Sequence, residues 1–410
     1  MKKPLIIRSL KALVVLLLLV FFSDFSSAQN LNQPKFMFKS GIGIMSPDSS
    51  VSLNIRFRMQ SRFLMQTNSI EDLSPAGWEA RVRRTRLVFT GHAYIPELTY
   101  YLQLSFSRGD MDWSMSEESS NNTSPNVVRD AMIFYSPNKN LRLGLGQTKL
   151  PGNRQRVISS GSQQFFDRSP VNANLTLDRD FGFFATYSLP TGKVLTLFKT
   201  AITSGEGRNS VASNSGLAYT GRVEVLPFGA FTDGGDYFEG DLAREPKPKL
   251  SIGAVYHFND LAVRTQGELG KDLYGAKSFE AFIVDALFKY RGWALSSEYL
   301  QKRTTGDAIT KDLTNKERAL LLGSGYNAQL SYCTAKHWEV AGRYAYLQPD
   351  NKVLAHYSAI EQYGMGLTKY FMHHKVKAQF NLMYNRETNM VTHVNKVENI
   401  WAVFQMEFGI

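Results

Sequence analysis

Between Gly146 and Asp180 the chain gathers Lys149, Arg154, Arg156, Arg168 and Arg179 against Asp167, Asp178 and Asp180. Guanidinium groups offer fixed pairs of N–H donors that match the oxygens of carboxylates and phosphates, so a segment of this composition can recognise anions. The stretch joins two segments that read as strands, Leu141–Lys149 and Phe181–Ser188. A connection this long in a compact protein is kept for a use. It is expected to fold into the lumen of a barrel and narrow it.

The elements that would position such a loop follow from period-two patterning. Val51, Leu53, Ile55, Phe57, Met59, Phe63 and Met65 alternate with Ser52, Asn54, Arg56, Arg58, Gln60 and Arg62, which gives one apolar and one polar face. Similar segments recur to Ile400–Phe408, joined alternately by long and short connections, with Pro227–Lys249 long where a short turn is due. The expected fold is all-β, a 16-stranded antiparallel transmembrane β-barrel over residues 51–410, with the long loops outside and the third turned into the lumen. Ten residues at about 3.3 Å, tilted about 45°, cross roughly 23 Å, which suits an outer-membrane apolar band. The polar faces then direct Arg56, Arg58 and Arg62 inward on the first strand, Arg142 on the fifth, Arg222 on the eighth, Arg343 on the thirteenth, and Lys375 and Lys377 on the fifteenth. Asp130, Glu224, Asp285, Glu298 and Glu339 are available to pair with them. The run Arg81–Arg86 breaks the alternation, as a bulge or a mixed register would.

Residues 1–28 have the form of a secretory signal: Lys2, Lys3, Arg8 and Lys11, an apolar run from Ala12 to Phe22, then Ser26 and Ala28 before the cleavage point. Residues 29–50 form an arm with at most a short strand around Phe36–Ile44. Losing the signal removes four cations and one acid and takes the net charge from +11 to +8. A basic exported chain whose arginines are spread through strands is matched to small anions and not to nucleic acid. Beyond the signal no apolar run of about 18 residues exists, so the chain can cross a membrane only as a barrel. Tyr94, Tyr135, Tyr187, Tyr290, Trp293, Tyr299, Tyr332, Trp338, Tyr346, Tyr370, Tyr384 and Trp401 fall near strand ends, where interfacial girdles belong. The seven histidines are scattered without the spacing of a triad or a metal site, and Cys333 is alone. No enzyme, cofactor or metal is expected.

Gly146-Gln147-x-Lys149-x-Pro151, Phe166-Asp167-Arg168-Ser169 and Arg179-Asp180-Phe181-Gly182, in that order, resemble the family of phosphate-selective porins O and P. Supporting pieces are Arg83-Arg84-Thr85-Arg86-Leu87, Gly221-Arg222-Val223, and Asp285 through Lys289-Tyr290-Arg291-Gly292-Trp293 to Glu298-Tyr299. The resemblance implies an outer-membrane, usually trimeric barrel in contact with lipid. It would pass phosphate or similar small anions by diffusion through an Arg/Lys-lined constriction to which Lys149, Arg168 and Arg179 belong. Two features depart from the pattern: the Pro227–Lys249 insertion and the lack of a compact lysine cluster. The alternative is an accessory barrel whose lumen is plugged or contacts a partner, with its inward cations paired to inward acids.

Overall fold

A computed structural model of the chain describes residues 33–38, 41–107 and 127–410. The expected signal segment and the long connection 108–126 lie outside the described residues. The arm carries a hairpin, β1 (Lys35–Met37) and β2 (Ile42–Met45). Around the barrel follow β3 (Ser52–Thr67), β4 (Pro75–Ala93), β5 (Ile95–Ser105), β6 (Val128–Tyr135), β7 (Leu141–Lys149), β8 (Arg179–Thr191), β9 (Val194–Thr203) and β10 (Ala218–Leu226). The second half comprises β11 (Lys249–Arg264), β12 (Asp272–Tyr290) and β13 (Trp293–Arg303), then β16 (Gly323–Cys333), β17 (Trp338–Pro349), β18 (Ala359–Met372), β19 (Val376–Thr388) and β20 (Asn395–Gly409). A separate small hairpin, β14 (Ile309–Lys311) and β15 (Glu317–Ala319), belongs to the loop between β13 and β16. Two short helices, α1 (Arg154–Val157) and α2 (Pro170–Leu175), lie between β7 and β8.

Every neighbouring pair is antiparallel, and β20 pairs with β3 from Trp401↔Gln66 to Gly409↔Arg58, which closes sixteen strands into a barrel. Below that seam β3 pairs instead with β2, Ile42↔Ile55 to Met45↔Ser52. Closure leaves the barrel wall no unpaired edge.

Sorting by face follows the alternation. On β18, Tyr363, Met365 and Leu367 are exposed outward, and on β20 so are Phe404, Met406 and Phe408, while the residues between them are buried. An apolar outer surface of this kind is solvated by lipid. Two of the expected girdle residues prove to be interior. Tyr370 is 1% exposed with its hydroxyl donating to Glu339 at 2.5 Å, and Trp401 meets Phe166 at 6.4 Å between centroids, because both fall on the inward parity of their strands.

The interior is not uniformly polar. Val171, Leu175 and Leu177 pack with Ile283, Leu300 and Leu320–Leu322 in one buried apolar cluster. The insertion 227–248 also turns inward. Lys289 donates to the carbonyls of Gly235 at 2.7 Å and Gly240 at 2.6 Å, and Asp241 accepts from the Gly292 amide at 2.7 Å. Glu239 accepts from the Gln164 amide at 2.9 Å.

Candidate functional site

The arginine run on β4 owes its arrangement to one extra residue. Gln60 pairs with Arg84 and Ser61 with Val82, so Arg83 is a bulge. A bulge re-aims side chains that strict alternation would send to opposite faces. Here Arg83 reaches Asp167 at 3.3 Å, Arg84 reaches the same carboxylate at 3.0 Å, and Arg86 donates to Ser160 at 3.1 Å. A second bulge stands on β6, where Gln103 pairs with Asp130 and Leu104 with Val128, leaving Arg129 as the extra residue. Gln147 of β7 donates to the Arg129 carbonyl at 3.2 Å. Its neighbour Gly146 has φ +133 and no room for a Cβ against Ala131, so the backbone there requires glycine.

Segment 150–178 is fastened to wall residues far apart on the barrel. Asn153 donates to Glu298 at 3.0 Å, Arg154 bonds Asp285 at 3.2 Å as well as Glu224, and Lys377 donates to Gly161 and Gln163 carbonyls at 2.9 Å each. Each residue of Phe166-Asp167-Arg168-Ser169 has its own contact. Phe166 lies under the Arg62 guanidinium at 4.7 Å, and Asp167 bonds Arg62, Arg83 and Arg84. Arg168 donates to the carbonyls of Gln155 and Ile158 at 2.8 Å each. Ser169 caps α2 by accepting from Asn172 N at 3.2 Å, with Pro170 at the first helical position. Wall glycines make the fit: a Cβ on Gly325 would stand 2.6 Å from Val171, and one on Gly366 3.3 Å from Phe165.

Two cavities flank this segment. The outer, about 280 Å³, is lined by Arg83, Arg84, Arg129, Arg156 and Arg168 with Asp167 and Asp178. The inner, about 620 Å³, is lined by Arg56, Arg58 and Lys375, with Asp130, Tyr101 and Val88. Arg86, Lys149 and Arg179 line both. Of these three, Arg179 is held by Asp130 at 3.0 and 3.1 Å and by Asp178, whereas the Lys149 ammonium donates to the carbonyls of Val157 at 3.0 Å and Ile158 at 3.3 Å. Lys149 has no ion pair among the described residues. Desolvation would raise the Asp167 carboxyl, but Arg84, Arg83 and Arg62 outweigh it and hold it well below the usual carboxylate range. Asp178 is held below that range in the same way, by Arg156 and Arg179 against desolvation.

The expected site residues therefore separate. Arg56, Arg58, Lys149, Arg156, Arg168 and Arg179 line the cavities. Arg62, Arg154, Arg222 and Arg343 line neither. Arg222 forks onto Asp285 at 2.5 and 2.8 Å and is 3% exposed, and Arg154 is 2% exposed between Glu224 and Asp285. Arg343 donates to the Asp167 carbonyl at 2.9 Å and to Gln362 at 2.8 Å. Arg142 stands over the Phe134 ring at 3.7 Å, also outside both cavities. Arg83, Arg84, Arg86 and Arg129 were not among the expected path residues; the broken alternation over Arg81–Arg86 is the signal the sequence holds for the first bulge.

The family model of the phosphate-selective porins O and P matches residues 53–409, nearly the whole barrel. The chain belongs to that family. No curated protein matches it. Among solved structures this porin is similar to an anion-selective porin from Comamonas acidovorans, at 13% identity and TM-score 0.52 over 88% of this chain and 100% of that one. It is also similar to the outer membrane channel DcaP of Acinetobacter baumannii, at 10% and 0.54 over 90% and 100%. A third similarity is to the trimer form of OmpT from Vibrio cholerae, at 9% and 0.51 over 88% and 100%. At such identities the likeness is one of fold. The porin is an outer-membrane β-barrel, and its family and fold are those of channels.

Proposed function

We propose that this porin passes small anions, phosphate among them, by diffusion between the two cavities, through a constriction formed where segment 150–178 meets β4, β7 and β8. The observation that carries the reading is that both cavities share Arg86, Lys149 and Arg179. An anion about 5 Å from one such cation gains roughly 1 to 3 kcal/mol at effective dielectrics between 80 and 20. That is weak enough to let it leave when several sites follow in series. Arg56, Arg58, Lys375, Arg83, Arg84, Arg129, Arg156 and Arg168 extend the cationic surface on either side. Arg62, Arg154, Arg222 and Arg343 hold the segment in place, and Arg142 stands apart from the path.

Residues 1–28 are proposed as a cleaved export signal, 29–50 as a periplasmic arm and 51–410 as the barrel, assembled as a homotrimer. N-terminal sequencing of purified protein should begin near Gln29, and light scattering in detergent should give three chains. Reversal potentials in a planar bilayer under a KCl gradient test the main reading. Anion preference that falls in Lys149→Glu and Arg86→Glu is expected, and cation preference in the wild-type channel would overturn it.

A further inference from the structure

The inner cavity is larger and chemically different from what an inorganic anion requires. At about 620 Å³ it has the size of pockets that hold organic ligands, which run from about 300 to 1,000 Å³. Beside the three cations it shares with the outer cavity, Arg56, Arg58 and Lys375 line it together with Val88 of β4, Tyr101 of β5 and Val157 of α1. Val88 sits on the inward parity of β4, in register with Arg56 on one side and Gln103 on the other. A valine at that position does nothing for a hydrated phosphate, and water against it is released when an apolar group takes its place. The outer cavity is smaller, about 280 Å³, and sets Ala173, Leu269 and Asn172 among eight cationic side chains with Asp167 and Asp178, which leaves less room for an organic body.

We infer that the inner cavity selects organic anions, that is, a carboxylate, phosphate or sulfate group carried on an apolar body, over inorganic anions of the same charge. The charged head lies against Arg56, Arg58 and Lys375 while the body covers Val88 and Val157. This inference rests on the anion path proposed above and assigns its substrate class.

The test is block of the chloride current of the intact porin in a planar bilayer, with phenyl phosphate and inorganic phosphate added to the side that Arg56 faces. Phenyl phosphate should reach half-block at about a fivefold to tenfold lower concentration, the change expected from burying part of one ring. Val88→Ser, which keeps every cation, should remove that advantage and leave block by inorganic phosphate unchanged. Equal block by the two anions in the wild-type channel overturns the inference, and so does an advantage that survives in both Val88→Ser and Val157→Ser. The reversal potential, read in the same membrane, separates the failures: an anion-selective channel without phenyl phosphate preference loses only this inference, and a cation-selective one loses the path itself.

Discussion

The two sides of this barrel use the same charged residues to opposite ends. On the side of β9 to β13 the arginines are matched by acids, Arg222 by Asp285 and Glu224 and Arg154 of α1 by the same two, as is Lys199 by Glu224 at 2.8 Å, while Lys289 and Lys302 donate to backbone carbonyls. The insertion after β10 adds Asp236, Glu239, Asp241 and Glu245, all buried, to that side. Over its outer part lies the apolar cluster beneath Leu320–Leu322. Along β3 to β8 the balance reverses. The outer cavity there presents eight cationic side chains to two carboxylates, and the inner one six to a single side-chain carboxylate. Arg84, Arg86, Arg129 and Arg179 on this side are buried as well, so the contrast lies in the ratio of cations to acids lining the cavities and not in exposure.

The comparison predicts unlike consequences for like substitutions. Arg222→Ala strips a buried partner from Asp285 and should cost about 3 to 5 kcal/mol of stability. It should show as a lower midpoint in urea titration of the refolded porin and as loss of the fast-migrating unheated band on a gel. A midpoint equal to wild type would mean that the β10–β13 wall is not built on paired charge. Next in size, Lys149→Gln should reduce anion preference by roughly 1 to 3 kcal/mol per passing anion while leaving the urea midpoint in place. Its readout is the reversal potential, and a fall in stability without a change in selectivity would exchange the roles of the two walls. Asp167→Asn removes the carboxylate on which Arg62, Arg83 and Arg84 converge, so block by inorganic phosphate should tighten. Looser block would show that the carboxylate helps anions through.

The smallest expected effect is that of pH. Asp167 and Asp178 have folded pKa values depressed below the ordinary range. The stability they contribute is therefore present above about pH 4, the unfolded value, and is lost only as pH falls through their lower folded values. Reversal potential and urea midpoint should stay level between pH 7 and pH 5 as far as these two groups are concerned. A shift in that window, measured again in Asp167→Asn, would assign the titration to another acid if it persisted.

Much of this was legible in the chain. Alternation set the strands closely: Leu141–Lys149 coincides with β7, and Val194, Trp293 and Trp338 each begin a strand where the pattern begins. The strands that run longer than expected, such as β11 to Arg264 and β12 from Asp272, do so at the outer rim, where backbone pairing continues after the apolar face has ended. The site was legible as composition and not as geometry. Lys149, Arg156, Arg168 and Arg179 could be picked out as a charged loop, but Arg154, from the same loop, was indistinguishable from them until its partners Glu224 and Asp285 were in place.

The sequence by itself determined the number of strands and most of their facing, because period-two patterning acts residue by residue and needs no knowledge of distant neighbours. It also determined that the loop between β7 and β8 would carry excess positive charge. Only the tertiary structure decided which cations line the cavities and which are locked in the wall. That depends on pairs such as Arg154 with Asp285 and Arg222 with Asp285, which lie far apart in the chain and meet only when the wall has closed. It also decided the two bulges, because whether Arg83 and Arg129 become extra residues depends on the register of the partner strand, which neither residue carries in itself.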